Sequence, residues 1–416
     1  MYSKKFGARS SGGNIRFRLS GLQRGKGGGH PPRGNSRGGG GRGKSFQGQK
    51  INPSVFINKA VVSIEPEKKY EPKHFFNDFK VSDALKVNIA KKGYVLPTPI
   101  QDEAIPHILF NTDIVGIANT GTGKTAAFLI PLIEKVLKNR NEMVLIVVPT
   151  RELALQIDQE LKEFSRGMQI FSACCVGGAF IGKQIRDLRF KNNFVIGTPG
   201  RLKDLMQQKV LDLSRFRTVV LDEADRMLDM GFIADMRFMM AQMPKDRHTL
   251  FFSATMSREI QVLIKDFLKN PVMISVKTGD TAKGVDQDIV RVHSSKNKID
   301  ILHDLLIQKE EFKKVLIFGR TKHGVEKLGK DLVHRGFKAE SIHGDKRQSK
   351  RQQALGLFKE NKVQILVATD VAARGIDVSD ISHVINYDIP ATYDDYVHRI
   401  GRTGRGNKQG KALTFI

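Results

Sequence analysis

The sequence predicts a tandem α/β protein: two doubly wound, parallel-sheet domains in succession behind a basic tail that lacks a core. Three observations carry this. Short apolar runs recur with helix-like segments between them, the pattern of a parallel sheet covered on both faces. A polar, glycine-containing stretch, Lys277 to Asp286, divides the runs into two series. Residues 1–50 hold 12 of the 69 Lys and Arg, none of the acids and 15 of the 39 glycines, so this stretch differs in kind from the rest of the chain.

Taken in order, residues 1–52 read as a disordered Gly/Arg-rich tail. Arg24-Gly25, Arg33-Gly34, Arg37-Gly38-Gly39 and Arg42-Gly43 recur among few large apolar side chains. Such a segment cannot bury enough surface to offset its ordering entropy. It resembles RGG-type RNA-binding tails, where Arg meets phosphates and stacks on bases; a sticky passenger is the alternative. Residues 53–70 read as a connecting segment. The first domain is expected over 71–276, with strands at 113–117, 143–148, 171–176, 194–196, 218–221 and 249–252. A linker is expected over 277–287. The second domain spans 288–416, with strands at 315–318, 339–342, 363–367, 383–387 and 411–415.

Charge and composition exclude several classes. The 416 residues carry a net charge of +26, which suits a polyanionic partner, most often nucleic acid. No apolar run approaches the length of a membrane span, and no apolar stretch follows the basic start, so neither a membrane partner nor a secretory signal is expected. Cys174 and Cys175 are adjacent and suit neither a disulfide framework nor a CxxC site. A reducing, cytoplasmic setting is the simplest expectation.

Ala118-Asn119-Thr120-Gly121-Thr122-Gly123-Lys124-Thr125 follows one expected strand and precedes an apolar helix, the context of a Walker A loop. Its glycines let backbone N–H groups face a phosphate at the positive end of a helix dipole. Lys124 would meet the β- and γ-phosphates and Thr125 would coordinate Mg²⁺. Ala118 replaces the first glycine of the usual pattern. A second apolar strand ends in Asp222-Glu223-Ala224-Asp225. Asp222 is placed to hold Mg²⁺ through water, and Glu223 to orient or deprotonate an attacking water. Acids after a strand also serve simply as helix N-termini.

At Asp222–Asp225 the sequence resembles the DEAD-box RNA helicases, and the likeness runs from about Phe76 to Phe415. Phe76, Gly93-Tyr94 and Pro97–Gln101 match the Q motif, and Pro149–Ala154 matches motif Ia. Gly177-Gly178 and Thr198–Arg201 match the GG and Ib elements, and Ser253–Thr255 matches motif III. Phe318 and Thr321 fall in motif IV, followed by Gln348 and Arg351. Val367–Asp377 matches motif V, and His398–Arg405 matches motif VI. The segment Arg226–Phe232 is similar to bacterial members, in which a Gly/Arg tail at the N-terminus is less usual.

The resemblance implies two RecA-like domains with ATP and Mg²⁺ between them and RNA across both. Gln101 can pair with adenine through its amide, with Phe76 near the base and Thr120, Gly121, Thr122, Gly123, Lys124 and Thr125 around the phosphates. Arg402 and Arg405 would act as arginine fingers, Asp377 would take a ribose hydroxyl, and Arg374 would tie motif V to the acids. Ser253, Thr255 and His398 would couple hydrolysis to strand separation. Thr150, Arg151, Gly178, Thr198, Gly200 and Arg201 on one domain, and Gln348, Arg351, Thr369 and Val371 on the other, would meet the sugar-phosphate backbone. A strand bent across both domains cannot stay in a regular duplex. The expected activity is therefore RNA-stimulated ATP hydrolysis by a monomer, driving local, non-processive unwinding of short duplexes or remodelling of RNA–protein complexes. An RNA clamp that rarely turns over and a DNA translocase are the rival readings.

Overall fold

The computed structural model describes residues 56–57, 70–119, 121–276, 285–292, 296–308, 311–373, 378, 380–404 and 410–416. The tail expected at 1–52 lies outside these residues, as does most of the connecting segment.

Among the described residues there are two sheets. The first contains β1 (Ile114–Ile117), β2 (Val144–Val147), β3 (Ser172–Cys175), β4 (Phe194–Gly197), β5 (Thr218–Leu221), β6 (His248–Ser253) and β7 (Val272–Ser275). Their order is β3-β4-β2-β5-β6-β1-β7, with every pairing parallel. The second contains β8 (Val285–Val290), β9 (Val315–Phe318), β10 (Ala339–Ile342), β11 (Ile365–Ala368), β12 (His383–Asn386) and β13 (Gly410–Phe415). Its order is β10-β11-β9-β12-β13-β8, again all parallel. Both are RecA-like sheets with helices between successive strands. The first sheet with its helices makes the first lobe, and the second sheet with its helices makes the second.

Period-2 geometry explains why the strands read as continuous apolar runs. In β2, Val144 and Ile146 enter one core cluster while Leu145 and Val147 enter the cluster on the opposite face. In β9, Val315 and Ile317 split from Leu316 and Phe318 in the same way. All eleven expected strands are present, with ends shifted by a residue or two. The two edge strands β7 and β8 were not expected. Only Ile274 of β7 is buried. β8 reads Val-Asp-Gln-Asp-Ile-Val, whose acids look like loop, and it begins at Val285 inside the stretch read as linker.

Parallel register positions the site. Ile117 pairs with Ser253 and Leu221 with Phe251, so the carboxyl ends of β1, β6 and β5 lie side by side. Ligands of open α/β sheets bind at such ends. Phe56, ahead of the first lobe in sequence, is buried in the second: its ring centroid lies 4.8 Å from that of Tyr396, in a cluster with Val285, Ile400 and Ala412. Among the described residues no helix is long and apolar enough to cross a membrane.

Candidate functional site

The loop after β1 is shaped by glycine. Gly121 and Gly123 have φ of 83° and 93°, a region other residues enter at a cost, and Gly123 caps the helix Lys124–Lys138. A Cβ on Gly123 would lie 2.4 Å from Gln101 Nε2, so close approach demands glycine as well. Lys124 is buried and its Nζ donates to Ala118 O at 2.7 Å, while Thr122 Oγ1 donates to Asn119 O at 2.8 Å. Thr125 follows in the first helical turn and is partly buried. Thr120 lies outside the described residues. Gln101, in the helix Pro99–Leu109, is also buried. Its Oε1 accepts from Thr98 N at 3.0 Å, and its Nε2 donates to Gly123 O at 3.1 Å. Gln101 thus braces the phosphate loop directly. Phe76 is a core residue, packed edge-on against Phe79 and Tyr94.

At the end of β5, burial raises the Asp222 carboxyl to about 6; Lys124 opposes this and Glu223 adds to it. Glu223 adopts φ 53°, a strained conformation for a non-glycine residue and typical of functional positions. Its Oε2 is buried without a hydrogen-bond partner, 3.6 Å from Arg226 Nε. Arg226 is itself buried, and both its terminal nitrogens lack hydrogen-bond partners. Buried polar atoms left in this state are costly unless a ligand or water meets them. The hard oxygens of Asp222 and Thr125, beside orphaned donors and acceptors, fit Mg²⁺ and a triphosphate.

One carboxylate oxygen joins the acids to the segment after β6. Asp225 Oδ2 accepts from Ala254 N and Thr255 N, both at 3.0 Å, and from Thr255 Oγ1 at 3.2 Å. Ser253 Oγ donates to Thr255 O at 2.8 Å. The sequence pointed to Ser253 and Thr255 but not to Asp225, whose only signal was its place as fourth residue of the acidic motif.

The second lobe faces these acids. Arg226, Asp370, His398 and Arg402 line one cleft. Arg402 is buried, with Nε donating to His398 O at 3.2 Å. Burial, then the charge of Arg226, lower His398 to about 4, although Asp225 and Glu223 pull the other way. Arg399, which had not been singled out, grips Asp370 through two bonds of 2.6 and 2.7 Å and donates to Asp388 O at 2.7 Å. It thereby fixes the helix Tyr393–Ile400 that carries His398. Arg374, Asp377 and Arg405 lie outside the described residues.

The residues expected to touch RNA fall into two groups. β3, β4 and β2 are neighbours, so the loops after them form one edge. Thr150 Oγ1 caps the helix Arg151–Phe164 by accepting from Leu153 N at 3.3 Å. The Arg151 guanidinium lies on Gly178 (φ 74°), where a Cβ would come within 2.1 Å of Nη1. Arg201 Nη1 donates to Ala179 O at 3.2 Å and to Gln184 Oε1 at 2.9 Å. Thr198 and Gly200 sit at the start of the helix Pro199–Gln207, with open space beside Gly200. On the second lobe, Thr369 and the half-exposed Val371 follow β11. Gln348 and Arg351, also expected to touch RNA, meet Glu152 of the first lobe. Gln348 Nε2 donates to Glu152 Oε1 at 3.2 Å, and Arg351 forms a buried ion pair with Glu152 Oε2 at 2.9 Å. They join the lobes, and Glu152 had not been singled out.

Residues 98–263 match a family model described as DEAD/DEAH box helicase, and residues 297–407 one described as helicase conserved C-terminal domain. The chain is 45% identical over 344 residues to an ATP-dependent RNA helicase, CshA, of Listeria monocytogenes, a match covering 82% of this chain and 66% of that protein. It thus spans just under two thirds of that relative. Among solved structures it is similar to S. cerevisiae Dbp5 bound to RNA and ADP BeF3, at 29% identity and TM-score 0.73, covering 82% of this chain and 89% of the other. It is also similar to the DEAD-box helicase Mss116 bound to ssRNA and UDP-BeF, at 29% identity and TM-score 0.74, covering 82% and 74%.

Proposed function

The chain belongs to the DEAD-box helicase family, and from that premise we propose that it is a cytoplasmic, ATP-dependent RNA helicase working through two lobes, 71–276 and, counting β8, 285–416, about a linker shortened to 277–284. The observation that carries this reading is the convergence of Lys124, Asp222 and the strained Glu223 at the ends of β1 and β5, with Arg226, His398 and Arg402 lining the facing cleft. Similarity to relatives whose structures hold RNA and a nucleotide analogue supports the same choice of ligands.

The chain's own groups divide the work. Lys124 leaves the Ala118 carbonyl for the β- and γ-phosphate oxygens, and the N–H groups of Gly121 to Thr125 cradle the β-phosphate. Bound Mg²⁺ would neutralise charge on the phosphates, held by Thr125 directly and by Asp222 through water. Glu223, buried and unsatisfied, orients the attacking water and accepts its proton. Arg402, with Arg405, stabilises negative charge on the transferred group, a contribution of roughly 10³–10⁵ in rate where arginine fingers have been removed. Asp225 passes the state of the acids to Ser253 and Thr255. The edge formed by Thr150, Arg151, Gly178, Thr198, Gly200 and Arg201 takes the RNA backbone together with Thr369 and Val371, so binding is insensitive to sequence and closure bends the strand, parting short duplexes non-processively.

Steady-state ATP hydrolysis with and without single-stranded RNA, with DNA and GTP as controls, tests the reading. Stimulation by RNA with ATP alone is expected. Equal stimulation by DNA overturns the substrate, and ATP-dependent RNA binding without turnover makes the protein a clamp.

A further inference from the structure

Phe180 is 77% exposed, at the rim of the loop that follows β3. A large ring in water forgoes its burial free energy, and a lone exposed aromatic is ordinary on a surface. Two features set this one apart. Its backbone is held from beneath: Arg201 donates to Ala179 O at 3.2 Å, Gln184 Nε2 donates to Val176 O at 3.0 Å, and the Arg151 guanidinium lies on Gly178. Its ring also lies close over Gly182. A Cβ on Gly182 would come within 2.9 Å of Phe180 Cε1 and 3.0 Å of Cζ, so the ring rests on a position where glycine leaves room for it. The ring therefore sits against the start of the helix Ile181–Leu188, with most of its surface open to solvent. The exposed Lys183 stands next to Gly182, and Arg151 and Arg201 flank the loop.

An exposed aromatic ring on a braced loop, with Arg151, Lys183 and Arg201 nearby in the same part of the fold, matches what single-stranded nucleic acid asks of a protein: charge for the phosphate, a flat surface for the base. We propose that Phe180 is a stacking platform for one base of the bound RNA strand. This rests on the helicase reading above and deepens it. The remaining proposed contacts read sugar and phosphate, which fix the path of the strand but not the orientation of its bases. Phe180 would turn one base out of the stack onto the protein at the first-lobe end of the strand. Because every base has a π-face, the site would tolerate any sequence while distinguishing a base from none.

The test uses the full chain, a fluorescent 12-nucleotide single-stranded RNA and a non-hydrolysable ATP analogue at fixed salt. Phe180→Ala is expected to weaken RNA binding by about 5- to 100-fold, with an unchanged unfolding midpoint and an unchanged salt slope, because the variant keeps every group that meets a phosphate. Phe180→Tyr and Phe180→Trp should bind like the parent. A series of RNAs with a single abasic site moved along the strand should show one position at which the parent loses the same factor and Phe180→Ala loses nothing. Equal affinity of Phe180→Ala and the parent, or a flat abasic series for the parent, overturns the platform and leaves Phe180 as a surface for a protein partner. That failure is distinguishable from failure of the helicase reading, which would appear in the parent as ATP hydrolysis indifferent to RNA.

Discussion

Asp222 shows what the site costs the fold. Its carboxyl is fully buried beside Glu223, and desolvation lifts it to about 6, against 3.8 for an ordinary Asp. Between those values the folded chain holds the proton more tightly than the unfolded one, so stability falls as pH rises through this window and the full cost is present above 6. Asp222→Asn removes that cost. The nucleotide-free variant should melt roughly 2–6 °C higher by thermal denaturation, while ATP hydrolysis is lost; a lower midpoint would mean that the charge is compensated. His398 titrates with the opposite sign. Its folded value near 4 lies below its unfolded value, so its contribution is complete above about 6.5 and is lost as pH falls towards 4. Asp222 should make turnover drop below about pH 6 by losing its charge for the metal, whereas His398 gains a charge beside Arg226 and Arg402 only as pH falls towards 4. A pH–rate profile flat from 5 to 8 would contradict the Asp222 assignment. The phosphate loop and acids were legible in the sequence because phosphate chemistry is local: Gly123, Lys124 and Thr125 are consecutive. Asp225 with Thr255 and Arg399 with Asp370 were not, since each pair joins residues about thirty positions apart that only the parallel sheets bring together.

Among the elements, the fully buried strands announced themselves, while two of the edge strands, β7 and β8, did not. β2, β4, β5, β9 and β11 are buried at every position and read as apolar runs, whereas β7 and β8 bury one or two side chains each and carry polar residues on the open side. The same local reading missed what secures the chain ahead of the first lobe. Phe56 fills the second lobe's cluster against Tyr396, and Tyr70 reaches Asp102 in the helix that carries Gln101. Asp102 also accepts from Lys73 N at 2.7 Å and His74 N at 3.1 Å. Burial works to raise its carboxyl, but the hydrogen bonds from Tyr70, Lys73 and His74 outweigh burial and hold it below the usual range. The segment before the first lobe is therefore anchored at both ends, on different lobes. Phe56→Ala should destabilise the second lobe by roughly 3 kcal/mol, the usual cost of emptying a buried phenyl site. Hydrogen exchange should show the loss around Tyr396 and β13 and leave β1 to β6 unchanged; uniform exchange across both lobes would refute the placement.

For the whole molecule the question is what ties two separately cored lobes into one enzyme. The tail offers one answer through charge alone. Its 12 Lys and Arg, unopposed by any acid, should add salt-sensitive affinity for RNA. Deleting residues 1–50 should weaken binding at low salt and flatten the dependence of log K on log salt by about 0.7 for each phosphate that the tail neutralises. Identical slopes for the two chains would make the tail a passenger. The described residues offer a more specific link in Glu152. It lies in the motif expected to touch RNA, yet its carboxylate is buried between Gln348 and Arg351 of the opposite lobe. A buried ion pair contributes little net stability, but removing one member strands the other's charge at a cost of about 3–5 kcal/mol. That cost falls on lobe closure and not on the folding of either lobe, because the partners belong to different cores. Glu152→Gln keeps the Gln348 hydrogen bond and orphans Arg351. It should lower the ATP-dependent affinity for RNA by at least about tenfold, with little change in the unfolding midpoint of either lobe. Arg351→Met should do the same. The double variant, which leaves no buried charge, should recover part of the loss, giving a coupling energy of about 0.5–3 kcal/mol in the cycle. If the two losses simply add, Glu152 and Arg351 act separately, and Arg351 returns to the set of residues that meet RNA directly.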